Sequence, residues 1–170
     1  MQKKHFPMFA QYNGWANRKL LTAVAELSEA EYNQDCQVAF KSMNGTLNHL
    51  LIADTIWLSR FQGTNDAPTS LDGFLHDKFA DYLEARRLMD DKFIQYAEGL
   101  TAVNLNGDFS YTPITTPEKV TLQLAPALAH IFNHQTHHRG QAHAILTRLK
   151  GEAPPLDLIY YQLEVRSGLV

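Results

Sequence analysis

The stretch His134-Gln135-Thr136-His137-His138-Arg139-Gly140-Gln141 lies inside a long helical pattern that runs from about Ala125 to Lys150. Residues i and i+4 share one face of an α-helix, so His134 and His138 stand one turn apart and can grip one metal ion. A pair of ligands needs at least a third. The best candidate is His49, far away in sequence, in the run Asn48-His49-Leu50-Leu51-Ile52-Ala53-Asp54. Three histidines from two helices leave a metal with open coordination positions, which suits a reactive site rather than a closed structural one.

Helical periodicity recurs in three other segments. The first runs from about Phe6 to Leu27, with Phe9, Tyr12, Ala16, Leu20, Ala23 and Leu27 as its stripe. Ser28 and Glu31 are then spaced as a capping box, which predicts a helix stop and a new start. The second runs from about Met43 to Phe61, with Ser42 as its cap and Gly63 and Pro68 in the loop after it. The third runs from about Phe74 to Ala97 and stops at Gly99. The long histidine-bearing segment is the fourth, and it stops at Gly151. Between the third and fourth, Phe109-Ser110-Tyr111 and Val120 to Leu124 alternate with period two, which predicts a small two-stranded ribbon. The tail from Leu156 to Val165 reads as a short fifth helix or as a segment packed on the bundle.

At 170 residues the chain fits one domain, residues 1–170, with enough length to bury a core. A formal net charge of −3 gives no reason to expect nucleic acid or an anionic membrane as a partner. The single cysteine, Cys36, excludes an internal disulfide and suits a reducing, cytoplasmic setting. Cys36 has no activating neighbour in sequence. No apolar run approaches a membrane span, and Met1 to His5 lead into no signal-like segment.

Helical-wheel phase, at about 100° per residue, sorts the polar residues. On the fourth segment, Ala127, Ile131, Ala142, Ile145 and Leu149 define the inward stripe. His134 and His138 fall in it, His130 and Gln141 on its edge, and His137 and His143 away from it. On the second segment Asn48, Thr55, Ser59 and Gln62 form a narrow polar face, while His49 and Asp54 lie on the apolar arc. Arg86 and Asp90 fall inward on the third segment, and Asn13 on the first. A buried polar group without a partner costs a few kcal/mol, so a set of them is easiest to explain as a convergent site. Taken singly, each also has a plainer reading: Arg86 with Asp90 as a structural ion pair, Asp54 as a hydrogen-bond acceptor between helices.

Several chemistries are excluded. Gln135 stands where the glutamate of a zinc-protease His-Glu-x-x-His would be. No Glu-x-x-His occurs, which removes the di-iron carboxylate bundle. There is no glycine-rich phosphate loop and no nucleophile elbow.

The segments HIFNHQTHHRGQAHAILTRL from His130, YNGWANRKLL from Tyr12 and LNHLLIADTIWLSRF from Leu47 resemble the DinB-like, YfiT-like metal-binding four-helix proteins. That family is distinct from the DNA polymerase sharing the name. The resemblance covers essentially the whole chain. It implies an all-α four-helix bundle with up-down-down-up connections, usually a homodimer. It also implies one divalent metal ion per chain, nickel or zinc, held by His49, His134 and His138. Characterised relatives of this kind are transferases and isomerases that use a low-molecular-weight thiol. The expectation is therefore a metal-dependent transferase, isomerase or hydrolase that activates a thiol or water for a small-molecule substrate. The alternative is a non-catalytic, metal-binding, stress-associated dimer. Asn13, Asp54, His130 and Gln141 are candidates to orient ligands or the nucleophile. Arg86 or Arg139 could contact an anionic substrate, and Arg139 with Gly140 could equally serve packing. Trp15, Trp57 and Leu158 to Tyr161 are candidate dimer contacts.

Overall fold

Four long helices form the frame: α1 (His5–Val24), α3 (Met43–Gln62), α4 (Phe79–Gly99) and α6 (Leu124–Lys150). The computed structural model describes residues 4–64, 66–71 and 73–170. The expectation for Met1 to Lys3 falls outside them. Short elements fill the connections: α2 (Glu29–Asn33), α5 (Ala102–Asn106), strands β1 (Asp108–Tyr111) and β2 (Val120–Gln123), and α7 (Leu158–Arg166). The ribbon is antiparallel, with Phe109 opposite Leu122.

Helix ends follow local chemistry. The Ser28 hydroxyl accepts from the Glu31 N–H and the Glu31 carboxylate accepts from the Ser28 N–H, so the predicted capping box starts α2. The Ser42 side chain accepts from the Gly45 N–H and starts α3. Gly63 (φ 70) and Gly151 (φ 82) end α3 and α6 in the left-handed region. Pro126 sits in the first turn of α6, where its missing N–H leaves no gap in the helix ladder. Two boundaries differ from expectation. The first helix ends at Val24, because the turn into the Ser28 cap takes the next residues. The third starts at Phe79 rather than Phe74, because Asn48 captures the backbone before it. The Asn48 Oδ1 accepts from the N–H groups of Leu75 and His76, and its Nδ2 donates to the His76 carbonyl. Those groups are satisfied without a helix. Asn48 is therefore fully buried rather than on a polar face. A second capping box, Thr101 with Asn104, builds the unforeseen α5.

Helix direction follows from which residues meet. Phe9 stacks on Phe132 and Asn17 accepts from Arg139, so α1 and α6 run parallel. Asp54 meets Arg86 and Phe61 stacks on Tyr96, so α3 and α4 run parallel. His49 meets His138 and Trp57 meets His130, so α3 and α6 run antiparallel. This is the up-down-down-up order. Parallel α3 and α4 require a connection long enough to return along a ~30 Å helix, and residues 63–78 supply it.

The main core packs Leu20, Leu47, Leu51, Leu128 and Ile131 between the four helices. A second cluster, Tyr12, Trp15, Ala16 and Tyr161, lies under α7. The Trp15 indole donates to Glu164 (2.7 Å), which also pairs with Lys19 (2.6 Å), and the Tyr12 hydroxyl donates to the Leu156 carbonyl (2.8 Å). The tail is thus a fifth helix packed on the bundle. Trp15 and Tyr161 are consumed by that packing and are not free for contact with a second copy. Among the described residues no helix is long and apolar enough to cross a membrane.

Candidate metal centre

The antiparallel crossing of α3 and α6 brings His49, His134 and His138 together. Each offers a ring nitrogen, and these atoms lie within 4.8 Å of one another. The ring centroids are 5.3 Å apart for His49 and His134, 4.5 Å for His49 and His138, and 4.3 Å for His134 and His138. His49 is 8% exposed, whereas His134 and His138 are half-buried. The wheel places the α6 pair in the inward stripe, and four of the five residues that define that stripe are buried. The buried arc extends one residue further, to Gln135 and Arg139. α6 packs on two helices, so its inward arc is wider than one stripe: the histidines take the side facing α3.

The donor set fits a metal ion. Only neutral imidazole binds metal. Burial holds the His134 pKa down at about 3, helped by neighbouring His138 and His49. Burial also lowers that of His138, against the hydrogen bond it makes to the Gln141 side-chain oxygen. The His134 Nδ1 is buried without a hydrogen-bond partner among the described residues. His138 is oriented through its other nitrogen: Nδ1 lies 2.8 Å from the Gln141 Oε1. In the tautomer that donates this bond, Nε2 keeps its lone pair for a metal. Gln141 lies one turn-edge from His138 on the same helix, which is how the wheel had singled it out. Gln141→Ala is expected to weaken zinc binding about 10–100-fold without loss of helix content. Competition titration against a chromophoric chelator measures this, and unchanged affinity would show that the bond orients nothing.

The remaining candidates are not gathered at the histidines. His130 is exposed and packs on Trp57 (4.9 Å), with its ring 6.0 Å from that of His134. His137 is exposed and meets the His138 ring edge-on at 4.7 Å but is outside the three-nitrogen group, and the His143 Nε2 is 3.1 Å from the Pro154 carbonyl oxygen. Asn13, Asp54 and Arg86 belong to a buried polar network in the centre of the bundle. Arg86 reaches Asp54 on α3 (2.6 Å) and Asp90 on its own helix (2.8 Å). Asp90 accepts from Asn17 (2.9 Å) on α1, and Arg139 on α6 donates to Asn13 and Asn17. Arg139 also lies over the Tyr12 ring at 5.3 Å. Burial pushes the Asp54 carboxyl up to about 6, against the pull of Arg86 and of the neighbouring Gln135 amide. Arg86 and Arg139 are both 2% exposed, so neither is available to a substrate anion. Arg139 and Gln135 directly follow the two α6 histidines and anchor the opposite flank of the same turns.

Two contributors had no counterpart in the sequence reading. Asn17 carried a usable signal, since it is one turn from Asn13 on the same face. Phe40 carried none, because it sits in an irregular loop. Its ring stacks on His49 with centroids 3.9 Å apart and planes 16° apart, and meets His138 edge-on at 5.4 Å. A cleft of about 550 Å³, lined by Asp35, Phe40, Lys41, His49, Leu71 and Phe74 among others, leads from the surface to His49.

An up-down-down-up bundle with three histidines gathered from two of its helices defines a class, the four-helix proteins with a candidate metal centre at the α3–α6 crossing. The DinB family model matches residues 1–165, and the chain belongs to the DinB family. It is similar to Protein DinB of Bacillus subtilis (strain 168), with 27% identity over 157 residues, covering 89% of this chain and 90% of that protein. The crystal structure of a DinB-like protein from Bacillus cereus ATCC 10987 shares the fold. Its TM-score is 0.65 at 18% identity, covering 85% of this chain and 91% of that one.

Proposed function

We propose that this chain is a metal-dependent enzyme of transferase, isomerase or hydrolase type, in which His49, His134 and His138 hold one divalent ion, nickel or zinc. One observation carries this reading. Three imidazoles converge beside a cleft that reaches His49, and no carboxylate or thiolate completes the group among the described residues. Three protein ligands leave a tetrahedral ion one exchangeable position. When bound, the ion supplies a Lewis acid that lowers the pKa of a thiol or water. The chain's own residues hold the site ready for it. Burial keeps His134 neutral, Gln141 sets the ring of His138, and the cleft admits a small molecule to the His49 side. A low-molecular-weight thiol is the nucleophile this arrangement suits, because thiolate is a good ligand for nickel and zinc.

The test uses cobalt in place of the native ion, with 2-mercaptoethanol as the probe. Thiolate binding is expected to add a sulfur-to-cobalt charge-transfer band to the wild-type spectrum, absent in His138→Ala and retained in His143→Ala. If cobalt loads fully and neither the thiol nor azide perturbs the spectrum, the site is closed. The protein is then a metal-binding bundle without turnover.

A further inference from the structure

We infer that Phe40 is a positioning residue for this centre: its ring, held by a strained loop, sets the plane of His49. The inference rests on the metal reading above. It starts from the backbone. Gln37 (φ 57) and Lys41 (φ 65) are non-glycine residues in the left-handed region on either side of Phe40. Such conformations persist only where their surroundings over-determine them. The surroundings here are dense. The Cys36 N–H donates to the Lys41 carbonyl (2.6 Å) and the Lys41 N–H to the Val38 carbonyl (2.9 Å). The Ser42 N–H donates to the Phe40 carbonyl (2.7 Å). Arg148 on α6 donates to the Cys36 carbonyl (3.0 Å). Gly45 completes the clamp, because a Cβ at that position would lie 2.0 Å from the Phe40 carbonyl oxygen. The loop therefore reaches the first turn of α3 only because residue 45 has no side chain.

What this clamp presents is one aromatic ring. Aromatic pairs usually sit 4.5–7 Å apart between centroids. Phe40 and His49 are closer, at 3.9 Å, and their ring planes are nearly parallel, 16° apart. The same ring meets His138 edge-on. Phe40 thus touches one ligand candidate from α3 and one from α6, and it also lines the cleft. A flat partner restricts rotation of the imidazole about its last torsion, which is otherwise broad. Pre-orientation spares the ordering cost of binding an ion, so it appears as affinity.

Phe40→Leu keeps the bulk and apolar character of a half-buried position while removing the flat face. Phe40→Tyr keeps the face. Three readouts decide. Circular dichroism and melting establish that both variants fold. In the metal-free protein, the NMR shifts of the His49 ring protons report the stacking: they move downfield in Phe40→Leu and stay near wild type in Phe40→Tyr. In zinc titrations with a competing chelator, Phe40→Leu binds about 10-fold more weakly, and Phe40→Tyr stays within about 2-fold of wild type. Equal zinc affinity in wild type and a folded Phe40→Leu overturns the inference and leaves the metal reading intact. A wild-type protein that binds no zinc or nickel overturns the metal reading instead. The ring shifts then still decide whether Phe40 sets the plane of His49.

Discussion

His134→Ala is expected to cost more than about 100-fold in zinc or nickel affinity, and His49→Ala and His138→Ala to do the same. Changes to groups that only orient a ligand cost about 10–100-fold, and removing the ligand itself costs more. His137→Ala and His143→Ala should leave metal content unchanged, since one ring is exposed and the other lies against the Pro154 carbonyl. Elemental analysis of protein purified without an affinity tag gives the answer. Equal metal loss in His137→Ala and His134→Ala would falsify the assignment. The same residue has a readout that needs no metal. Its folded pKa, about 3, lies below the ordinary 6.5, so between those values the unfolded chain binds a proton that the folded site refuses. The stability that His134 contributes by staying neutral is full above pH 6.5 and is lost as pH falls towards 3. The metal-free wild type should therefore lose melting temperature between pH 7 and pH 5 more steeply than metal-free His134→Ala.

Arg86→Met should be the most damaging single change away from the histidines. It removes the cation between Asp54 and Asp90, which are 0% and 5% exposed, and leaves two carboxylates in the bundle centre. Breaking a buried pair from one side costs about 3–5 kcal/mol, or roughly 10 °C for a chain of this size. Arg87→Met is the matched control. Arg87 pairs with Glu84 and Asp91 on the surface, more than half exposed, where such pairs contribute about 0–1 kcal/mol. The sign of the pH dependence follows from the carboxyls. Burial raises the Asp54 pKa to about 6 even with Arg86 present, and it raises that of Asp90 as well. Without Arg86 both rise further. Groups with raised folded pKa favour the folded state at low pH and lose that contribution as pH rises through the folded value. The deficit of Arg86→Met should therefore shrink between pH 7 and pH 5. A deficit that is small at pH 7, or that grows in acid, would mean that the carboxylates are hydrated and that the network is not a sealed one.

Several features were legible in the sequence because they are local. Helix periodicity, the Ser28–Glu31 capping box, the glycine stops at Gly63 and Gly151 and the period-two ribbon all depend on residues within a few positions of each other. The His134 and His138 pair is local in the same sense, since helical geometry alone sets it on one face. His49 was selected as a candidate by its apolar phase. The crossing that brings it to the pair is a tertiary fact, set by how α3 and α6 pack.

Other features could not be read from a wheel. A single wheel stripe cannot resolve a helix that packs on two neighbours, so Gln135 and Arg139 prove more deeply buried than the histidines they follow. Helix α4 starts late because Asn48, 27 and 28 positions away from Leu75 and His76, binds their backbone first. The stacking of Phe40 on His49 depends on a loop whose path is decided by left-handed residues and by a close approach to Gly45. The sequence by itself determined the four long helices and the residue types available for a metal. Tertiary structure alone decided which polar groups pair inside the bundle and which aromatic ring meets the site. Pairing energies are set by distances across helices, and no periodicity along one chain segment encodes those distances.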